Sequence, residues 1–170
     1  MLGVEYRYLA ESYKGEIVTD YLPSDKKDNK NRRFLDFFHS QRISQNWSLN
    51  SNITNVSDKN YFEDFGNSVN DTSQAYLYSY LNIKGFSDNW QFLANINDYQ
   101  ILSESIALNR QPYQSLPSLD YSWFNNDYTS AFSYGVDSNW SNLYREDSIT
   151  TSRLDLMPYI ETTYQNSYSR

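Results

Sequence analysis

The densest group of chemically capable side chains lies in residues 55–65, which read NVSDKNYFEDF. Asp58, Glu63 and Asp64 supply carboxylates and Asn60 supplies an amide oxygen, and these are the oxygen ligands that Ca²⁺ prefers. Their spacing does not match an EF-hand loop, which also needs a glycine at its sharp turn. We therefore expect these charged side chains to be solvated rather than to hold a metal ion.

Other catalytic chemistry has little support in the sequence. There is one histidine, His39, and no cysteine, so zinc would have to be bound almost entirely by carboxylates. The sequence also lacks a GxSxG nucleophile motif and a glycine-rich phosphate-binding loop. We expect His39 to be a structural or lumen-facing residue, and we expect no enzyme activity, cofactor or metal site.

The charge balance argues against nucleic acid as a partner. The net charge is −7 over 170 residues, whereas binding to phosphates requires a concentration of Lys and Arg. The clearest basic run, KKDNKNRR at residues 26–33, is interrupted by Asp28 and by two asparagines. We expect this run to be a solvated loop.

The aromatic residues indicate ordered β structure. They make up 18% of the sequence and include 17 tyrosines, whereas disordered chains are poor in aromatic residues and strands are rich in Tyr. Apolar and polar residues alternate with a period of two in many stretches. In residues 47–54, for example, Trp47, Leu49 and Ile53 share one face, and the opposite face carries only Ser, Asn and Thr.

This alternation predicts nine antiparallel strands, at about residues 3–10, 15–22, 32–41, 47–56, 74–84, 90–100, 117–124, 128–138 and 150–161. Short and long connections mostly alternate, as they do in an up-and-down meander. Several strands reach about ten residues, the length that crosses a bilayer at a tilt. The predicted fold class is therefore all-β, an antiparallel up-and-down meander, and the strand lengths favour a transmembrane β-barrel.

In such a barrel one face of the sheet contacts lipid and the other lines the lumen. Trp47, Trp90, Trp123 and Tyr128 fall at predicted strand ends, where a membrane barrel has its aromatic girdle. The polar positions expected to face the lumen are Glu5, Arg7, Asn50, Asn52, Asn95, Asn97 and Asp120.

Two other classes of protein remain open on periodicity alone. A different outer-membrane barrel, such as a diffusion porin or a surface receptor, would show the same alternation. A soluble β-sandwich also alternates, although its strands average about 5–6 residues, and a carbohydrate-binding module could use exposed Tyr and Trp rings.

Three short motifs distinguish these possibilities. DYLPSD at residues 20–25 closes the second strand, VSDKNYFEDF at residues 56–65 follows the fourth, and RQPYQSLPSLDYSW at residues 110–123 leads into the seventh. In this order, and with these strands between them, they resemble the outer-membrane barrel of the LptD family of LPS-assembly proteins, also called organic solvent tolerance proteins. The motif positions are Tyr21, Leu22, Pro23, Asp25, Val56, Ser57, Asp58, Tyr61, Phe62, Asp64, Phe65, Pro112, Tyr113, Leu116 and Pro117.

The resemblance implies a place in the cell outer membrane and a role in inserting lipopolysaccharide (LPS) into its outer leaflet. The implied partners are LPS, a lipoprotein plug similar to LptE, outer-membrane lipid, and periplasmic bridge proteins bound through a jellyroll domain. The resemblance further implies that residues 1–170 form a partial segment of a large transmembrane β-barrel, and the jellyroll and the remaining barrel strands are expected to lie outside these residues. Nine strands cannot close so wide a barrel, and the isolated segment is expected to aggregate or to need detergent.

The resemblance also changes the interpretation of the acidic stretch. We expect Tyr61, Phe62 and Phe65 to pack the connection after the fourth strand against the barrel rim or a neighbouring loop. Asp58 is then expected to cap a local turn.

Overall fold

The computed structural model describes residues 1–27, 29–66, 74–103, 111–125, 131–145 and 150–162. The strands are β1 (Leu2–Leu9), β2 (Tyr13–Leu22), β3 (Arg32–Arg42), β4 (Trp47–Val56), β5 (Tyr76–Ser87), β6 (Trp90–Ile101), β7 (Gln114–Phe124), β8 (Phe132–Tyr144) and β9 (Thr151–Thr162). A single-turn helix, α1 (Tyr61–Phe65), follows β4. In this described part of the chain, no helix is both long enough and apolar enough to cross a membrane.

The nine strands form one open sheet in chain order, and every strand pairs antiparallel with its sequence neighbours. The predicted all-β meander is therefore confirmed. The eighth strand was predicted at 128–138 but runs from Phe132 to Tyr144. Residues 139–144, which the prediction left in a connection, continue the strand, with Trp140 and Ser141 on opposite faces.

The register divides the sheet into two faces of different chemistry. We define the polar face as the one that carries Asn50 and Asn95, and the apolar face as the one that carries Leu49 and Ile96. Successive register partners on the polar face include Ser40, Asn50, Asn82, Asn95, Ser118 and Ser141. On the outer strands the apolar face is open: Val4 and Leu156 are 60% and 62% exposed.

The two ends of the sheet differ in the length of their connections. Residues 10–12, 43–46 and 88–89 make short turns at one end, whereas the connections after β2, β4 and β6 are long and lie at the other. Trp47, Trp90 and Trp123 stand together on the apolar face at the short-connection end. The Trp47 and Trp90 ring centroids are 5.8 Å apart, and Trp90 is the register partner of Trp123. Their predicted place at strand ends is confirmed, whereas Tyr128 lies outside the described residues.

Two glycines allow aromatic rings to lie flat across a neighbouring strand. Gly85 is the register partner of Trp47, and a Cβ at Gly85 would come within 2.7 Å of the Trp47 ring. Gly15 is in the same way the partner of Tyr8, whose ring covers it. A glycine in a strand marks such a close approach.

The buried apolar residues cluster at the long-connection end. Val56, Tyr61, Leu77 and Leu102 form this cluster, and Phe34, Phe62 and Phe65 pack against it. A single sheet has no second layer to bury its faces. The cluster therefore forms where α1 folds back over the end of β3 and β4.

The ladder between β4 and β5 stops before the strands do. Backbone pairing ends at Asn52 and Tyr80. Beyond that point Ser79 Oγ bonds the Thr54 N–H and C=O at 3.1 and 3.2 Å. The Gln100 amide accepts from the Val56 N–H at 3.0 Å and donates to the Val56 C=O at 2.6 Å. Side chains thus replace the missing ladder and satisfy backbone groups that would otherwise be costly to bury.

Candidate functional site

All seven residues predicted to face a lumen lie on the polar face. One row of register partners contains Arg7, Asn52 and Asn97, and another contains Asn50 and Asn95. Glu5 lies two positions from Arg7, and Asp120 is the partner of Leu93, two positions from Asn95. The structure therefore brings them to one surface, and the lumen itself stays a prediction.

The polar face is dense in hydrogen-bonding groups. Arg7 forms ion pairs with Glu5 at 2.7 Å and Glu16 at 3.0 Å. Asn139 donates to Asp120 at 2.5 Å. The Asn82 Oδ1 atom is buried and accepts no hydrogen bond from the described residues. This arrangement of amides, hydroxyls and carboxylates can hydrogen-bond water or sugar hydroxyls.

An open cleft of about 470 Å³ lies on the polar face towards the short-connection end. Lys84, Gln91, Asp120 and Ser122 contribute its polar lining, and Leu93 and Phe92 are among its apolar lining. The cleft places a cation and a carboxylate on the same surface as the asparagine rows.

A buried arginine organises the long-connection end of this sheet. Arg32, the first residue of β3, is 1% exposed. It donates two hydrogen bonds to Asp58, from Nε at 3.0 Å and from Nη2 at 2.8 Å. Its Nη1 atom donates to Asp25 at 3.1 Å and to Asp64 at 2.5 Å. We call these four residues the Arg32 cluster.

Aromatic rings enclose the Arg32 cluster. The Arg32 guanidinium lies 4.7 Å from the Phe65 ring centroid and 5.6 Å from that of Tyr61, within the range of cation–π contacts. Phe34 stacks on Tyr61 at 5.9 Å and meets Phe62 edge-on at 6.0 Å. Tyr61, Phe62 and Phe65 thus pack this connection against the end of the sheet, as expected, and the assignment of this end to a barrel rim stays a prediction.

Two expectations about these charges are confirmed only in part. The other described residues of the run KKDNKNRR are exposed, as predicted, but Arg32 is buried. Glu63 is exposed, as predicted, whereas Asp58 and Asp64 are half-buried. This burial is possible because three carboxylates surround one guanidinium and occupy its donors. The expected turn cap is confirmed, since the Asn60 N–H donates to Asp58 Oδ1 at 3.1 Å.

The electrostatic environment shifts three pKa values in the connections around the cluster. The Lys27 ammonium, followed by Arg32, holds the pKa of the Asp64 carboxyl below its usual range. A hydrogen bond from the Lys27 backbone N–H is the main cause that lowers the pKa of Asp25. Burial, followed by the neighbouring Asp20 carboxylate, raises the pKa of Tyr61 to about 12. The two carboxylates are therefore held ionised and the phenol is held neutral.

Most of the remaining residues of the first two motifs lie next to the Arg32 cluster, at the corner where the long-connection ends of β2, β3 and β4 meet. Ser57 accepts from the Arg33 N–H at 3.1 Å and donates to Asp58 at 2.7 Å. Leu22 is the register partner of Arg32, and Pro23 follows it in the turn. Val56 belongs to the buried cluster already described, whereas Tyr21 is 44% exposed on the apolar face.

The third motif lies apart from this corner, at the start of β7. The Arg145 guanidinium lies over the Tyr113 ring, 4.4 Å from the ring centroid. Asn142 donates to the Leu116 C=O at 3.0 Å. Pro112 precedes the strand, and Pro117 occupies a register shift between Ser115 and Ser118, where a proline is tolerated within a sheet.

Among the described residues, His39 has aromatic neighbours and Gln41 as its partners. His39 lies on the apolar face, where its Nδ1 and the Tyr8 hydroxyl are 2.7 Å apart and its ring stacks on Phe37 and Tyr13. Of the two predicted roles, structural or lumen-facing, the structural one fits this position of His39. Within the described ranges, no group of three or more His, Cys, Asp or Glu residues could hold a metal ion.

Comparison with known proteins gives a consistent result. The LptD family model, described as LPS transport system D, matches residues 30–170. An LPS-assembly protein LptD from Mannheimia succiniciproducens is 34% identical over 128 residues, which is 72% of this chain and 16% of the relative. The protein of the same name from Shewanella frigidimarina is 31% identical over 159 residues, 91% of this chain and 20% of the relative.

A third relative of that name, from Haemophilus influenzae, is 31% identical over 128 residues, with 72% of this chain and 16% of the relative covered. The chain therefore spans at most about a fifth of the length of these curated relatives.

Proposed function

Because the chain belongs to the LptD family, LPS transport system D, we propose that it forms part of the wall of an outer-membrane β-barrel that inserts LPS into the outer leaflet. The name of the relatives, LPS-assembly protein, supports this proposal. The role is one of transport and requires no catalytic residue in this segment.

The two-faced sheet is the observation that carries the proposal. Strands β2–β9 have 10 to 13 residues each, and a tilted strand needs about 9–11 residues to cross a bilayer. Large apolar side chains remain exposed across the apolar face, and a bilayer would cover them. The Trp47, Trp90 and Trp123 group would then lie at one membrane interface.

In this orientation the polar face lines the lumen. The rows of register partners that contain Asn50, Asn52, Asn95 and Asn97 offer hydrogen-bond donors and acceptors, and so does the cleft lined by Asp120. These groups do not form a continuous charged surface. Such a surface suits contact with the sugar hydroxyls of LPS or with a lipoprotein plug similar to LptE. Bridge proteins of the periplasm would bind elsewhere, through a jellyroll domain outside residues 1–170.

The sheet has two open edges, at β1 and β9. In a bilayer, unpaired backbone groups at an edge are costly, so a membrane sheet must close into a barrel. We propose that further strands of the same protein pair with β1 and β9, in agreement with the small share of the relatives that this chain covers.

Cysteine labelling in the full-length protein tests the orientation. Asn52→Cys and Ile53→Cys are neighbours on opposite faces of β4. A water-soluble maleimide should label position 52 in outer-membrane vesicles and leave position 53 unlabelled, and labelling of both should appear after detergent denaturation. Equal labelling of both positions in intact vesicles would contradict the membrane orientation and favour a soluble module.

A second experiment tests the link to LPS. The double variant Asn95→Lys with Asn97→Lys places two charges on the polar face. It should reduce the LPS that reaches the cell surface, weaken plug retention and increase sensitivity to bulky hydrophobic antibiotics. Asn89→Lys, in the exposed turn between β5 and β6, is the control. A change in small-solute permeability with normal LPS delivery would instead indicate a diffusion porin.

A further inference from the structure

An open groove of about 700 Å³ interrupts the apolar face where the β4–β5 ladder stops. Leu81 and Ile96 line the part nearest the centre of the sheet, with Ile53 next to them. Arg33 lines the part nearest the long-connection end. The groove thus has an apolar strip formed by Ile53, Leu81 and Ile96, polar walls that include Asn55, Asp98 and Gln100, and a cation at the long-connection end.

Arg33 is the residue that sets this groove apart from the rest of the apolar face. Its backbone is fixed by Ser57, which accepts from the Arg33 N–H at 3.1 Å and donates its own N–H to the Arg33 C=O at 2.9 Å. Its guanidinium is exposed and has no ion pair with the described residues, whereas that of the adjacent Arg32 is paired with three carboxylates. An arginine at the edge of a lipid-facing surface needs an anion or water at the interface.

Two other polar walls of the groove are already engaged. The Asn55 and Gln100 amides bond to each other at 3.1 Å, and Gln100 also bonds the Val56 backbone. The Asp98 carboxylate accepts from the Tyr99 N–H at 2.8 Å and from the Gln114 amide. Arg33 is therefore the group on this surface that remains open to an anionic ligand.

We propose that this groove binds one glycerophospholipid of the bilayer, with the phosphodiester at Arg33 and an acyl chain along Ile53, Leu81 and Ile96. This rests on the proposed function, since the apolar face must contact the membrane. A groove of this volume accommodates one or two acyl chains rather than the several chains of an LPS lipid anchor. The lipid covers the gap in the β4–β5 ladder and shields the Ser79 and Gln100 hydrogen bonds.

Native mass spectrometry of the full-length protein tests the site. The protein is delipidated in detergent and offered palmitoyl-oleoyl phosphatidylglycerol, and the bound lipid is counted. Arg33→Ala should lower the affinity for one lipid by about tenfold, since it removes charge-assisted hydrogen bonds. Arg42→Ala, on the same strand but on the polar face at the other end, should leave binding unchanged.

A second variant tests binding of the acyl chain. It leaves the charge of Arg33 unchanged, and it gives a result even if Arg33→Ala does not fold. Ile53→Trp fills the groove with a bulky ring and should also lower the bound count. Unchanged binding in Ile53→Trp, or in a folded Arg33→Ala, overturns the proposal. Arg33-dependent binding of a purified lipid A with no binding of the phospholipid overturns it as well.

These outcomes are separate from those for the proposed function. If labelling at positions 52 and 53 alternates while Arg33→Ala retains the lipid, the membrane orientation stands and the lipid site fails. If the labelling does not alternate, the proposed function fails first.

Discussion

Arg32 and Asp58 form a two-bonded ion pair between the first residue of β3 and the connection that follows β4, with Nε–Oδ2 and Nη2–Oδ1 distances of 3.0 and 2.8 Å. The pair joins residues 26 positions apart. Since Asp25 and Asp64 bind the same guanidinium, one side chain holds two long connections onto the sheet.

Arg32→Met should release these connections. It leaves three carboxylates without their shared partner, and breaking such a buried pair costs about 3–5 kcal/mol. Where local opening controls proteolysis, we expect trypsin cleavage at Lys59 to accelerate by more than about a hundredfold. Arg33→Met is the matched control because Arg33 is adjacent but exposed. Equal cleavage rates in the two variants would show that the cluster does not hold the connection.

Acid should open the same cluster. The folded pKa values of Asp25 and Asp64 lie below their usual range, so these groups contribute stability that is complete above the unfolded pKa of about 4. This stability is lost as the pH falls from there through the lower folded values. Hydrogen exchange at the Gly66 N–H, which bonds Phe62, measures the opening after correction for the intrinsic pH dependence.

Asp64→Asn should weaken this acid dependence of exchange. Glu63→Gln, one residue away and exposed in the same helix, should leave it intact. An identical acid profile for Asp64→Asn and the parent protein would assign the opening to other carboxylates.

Gln100→Ala should destabilise the end of β4. It leaves the Val56 N–H and C=O without the partners they have in the structure, and each unsatisfied buried group costs about 1–3 kcal/mol. Faster exchange of the Val56 amide and a lower urea midpoint measure the effect. Gln91→Ala, on the exposed part of the same strand, is the control, and Gln100→Glu, which keeps the acceptor alone, should be intermediate.

Gly85→Ala should displace the Trp47 ring from its position across β5. The added Cβ would lie 2.7 Å from that ring, and overpacking of this kind costs about 1–3 kcal/mol. The urea midpoint should fall and the tryptophan emission should shift. Combining Gly85→Ala with Trp47→Leu should recover part of the stability lost in Gly85→Ala. If the stability changes of the two single variants simply add in the double variant, the Trp47 ring and the new methyl group do not clash.

The strands could be predicted because their signal is local. Alternation in residues 47–54 or 90–97 already separates the two faces, and the register then places Asn50 and Asn95 on the same side without further information. The family could be predicted from three ordered motifs for the same reason, since each is a continuous stretch of sequence.

The features that could not be predicted depend on distant partners. The carboxylates that bind Arg32 lie 7, 26 and 32 positions away, so its charged neighbours in sequence suggested solvent. The end of the β4–β5 ladder was also hidden, because β4 itself continues to Val56, four residues beyond its last ladder pair with β5. Only the three-dimensional structure shows that Gln100 reaches the Val56 backbone groups from β6.

Each strand of this sheet pairs only with the strands before and after it in the chain. Inserting or deleting one hairpin therefore changes the width of the sheet by two strands without rerouting the chain or altering the register of the remaining pairs. Gene duplication or loss of a hairpin could thus change the circumference of a barrel built in this way in small steps. The corner held by Arg32, which couples β2, β3 and β4, is the part where such an exchange would break contacts beyond the ladder.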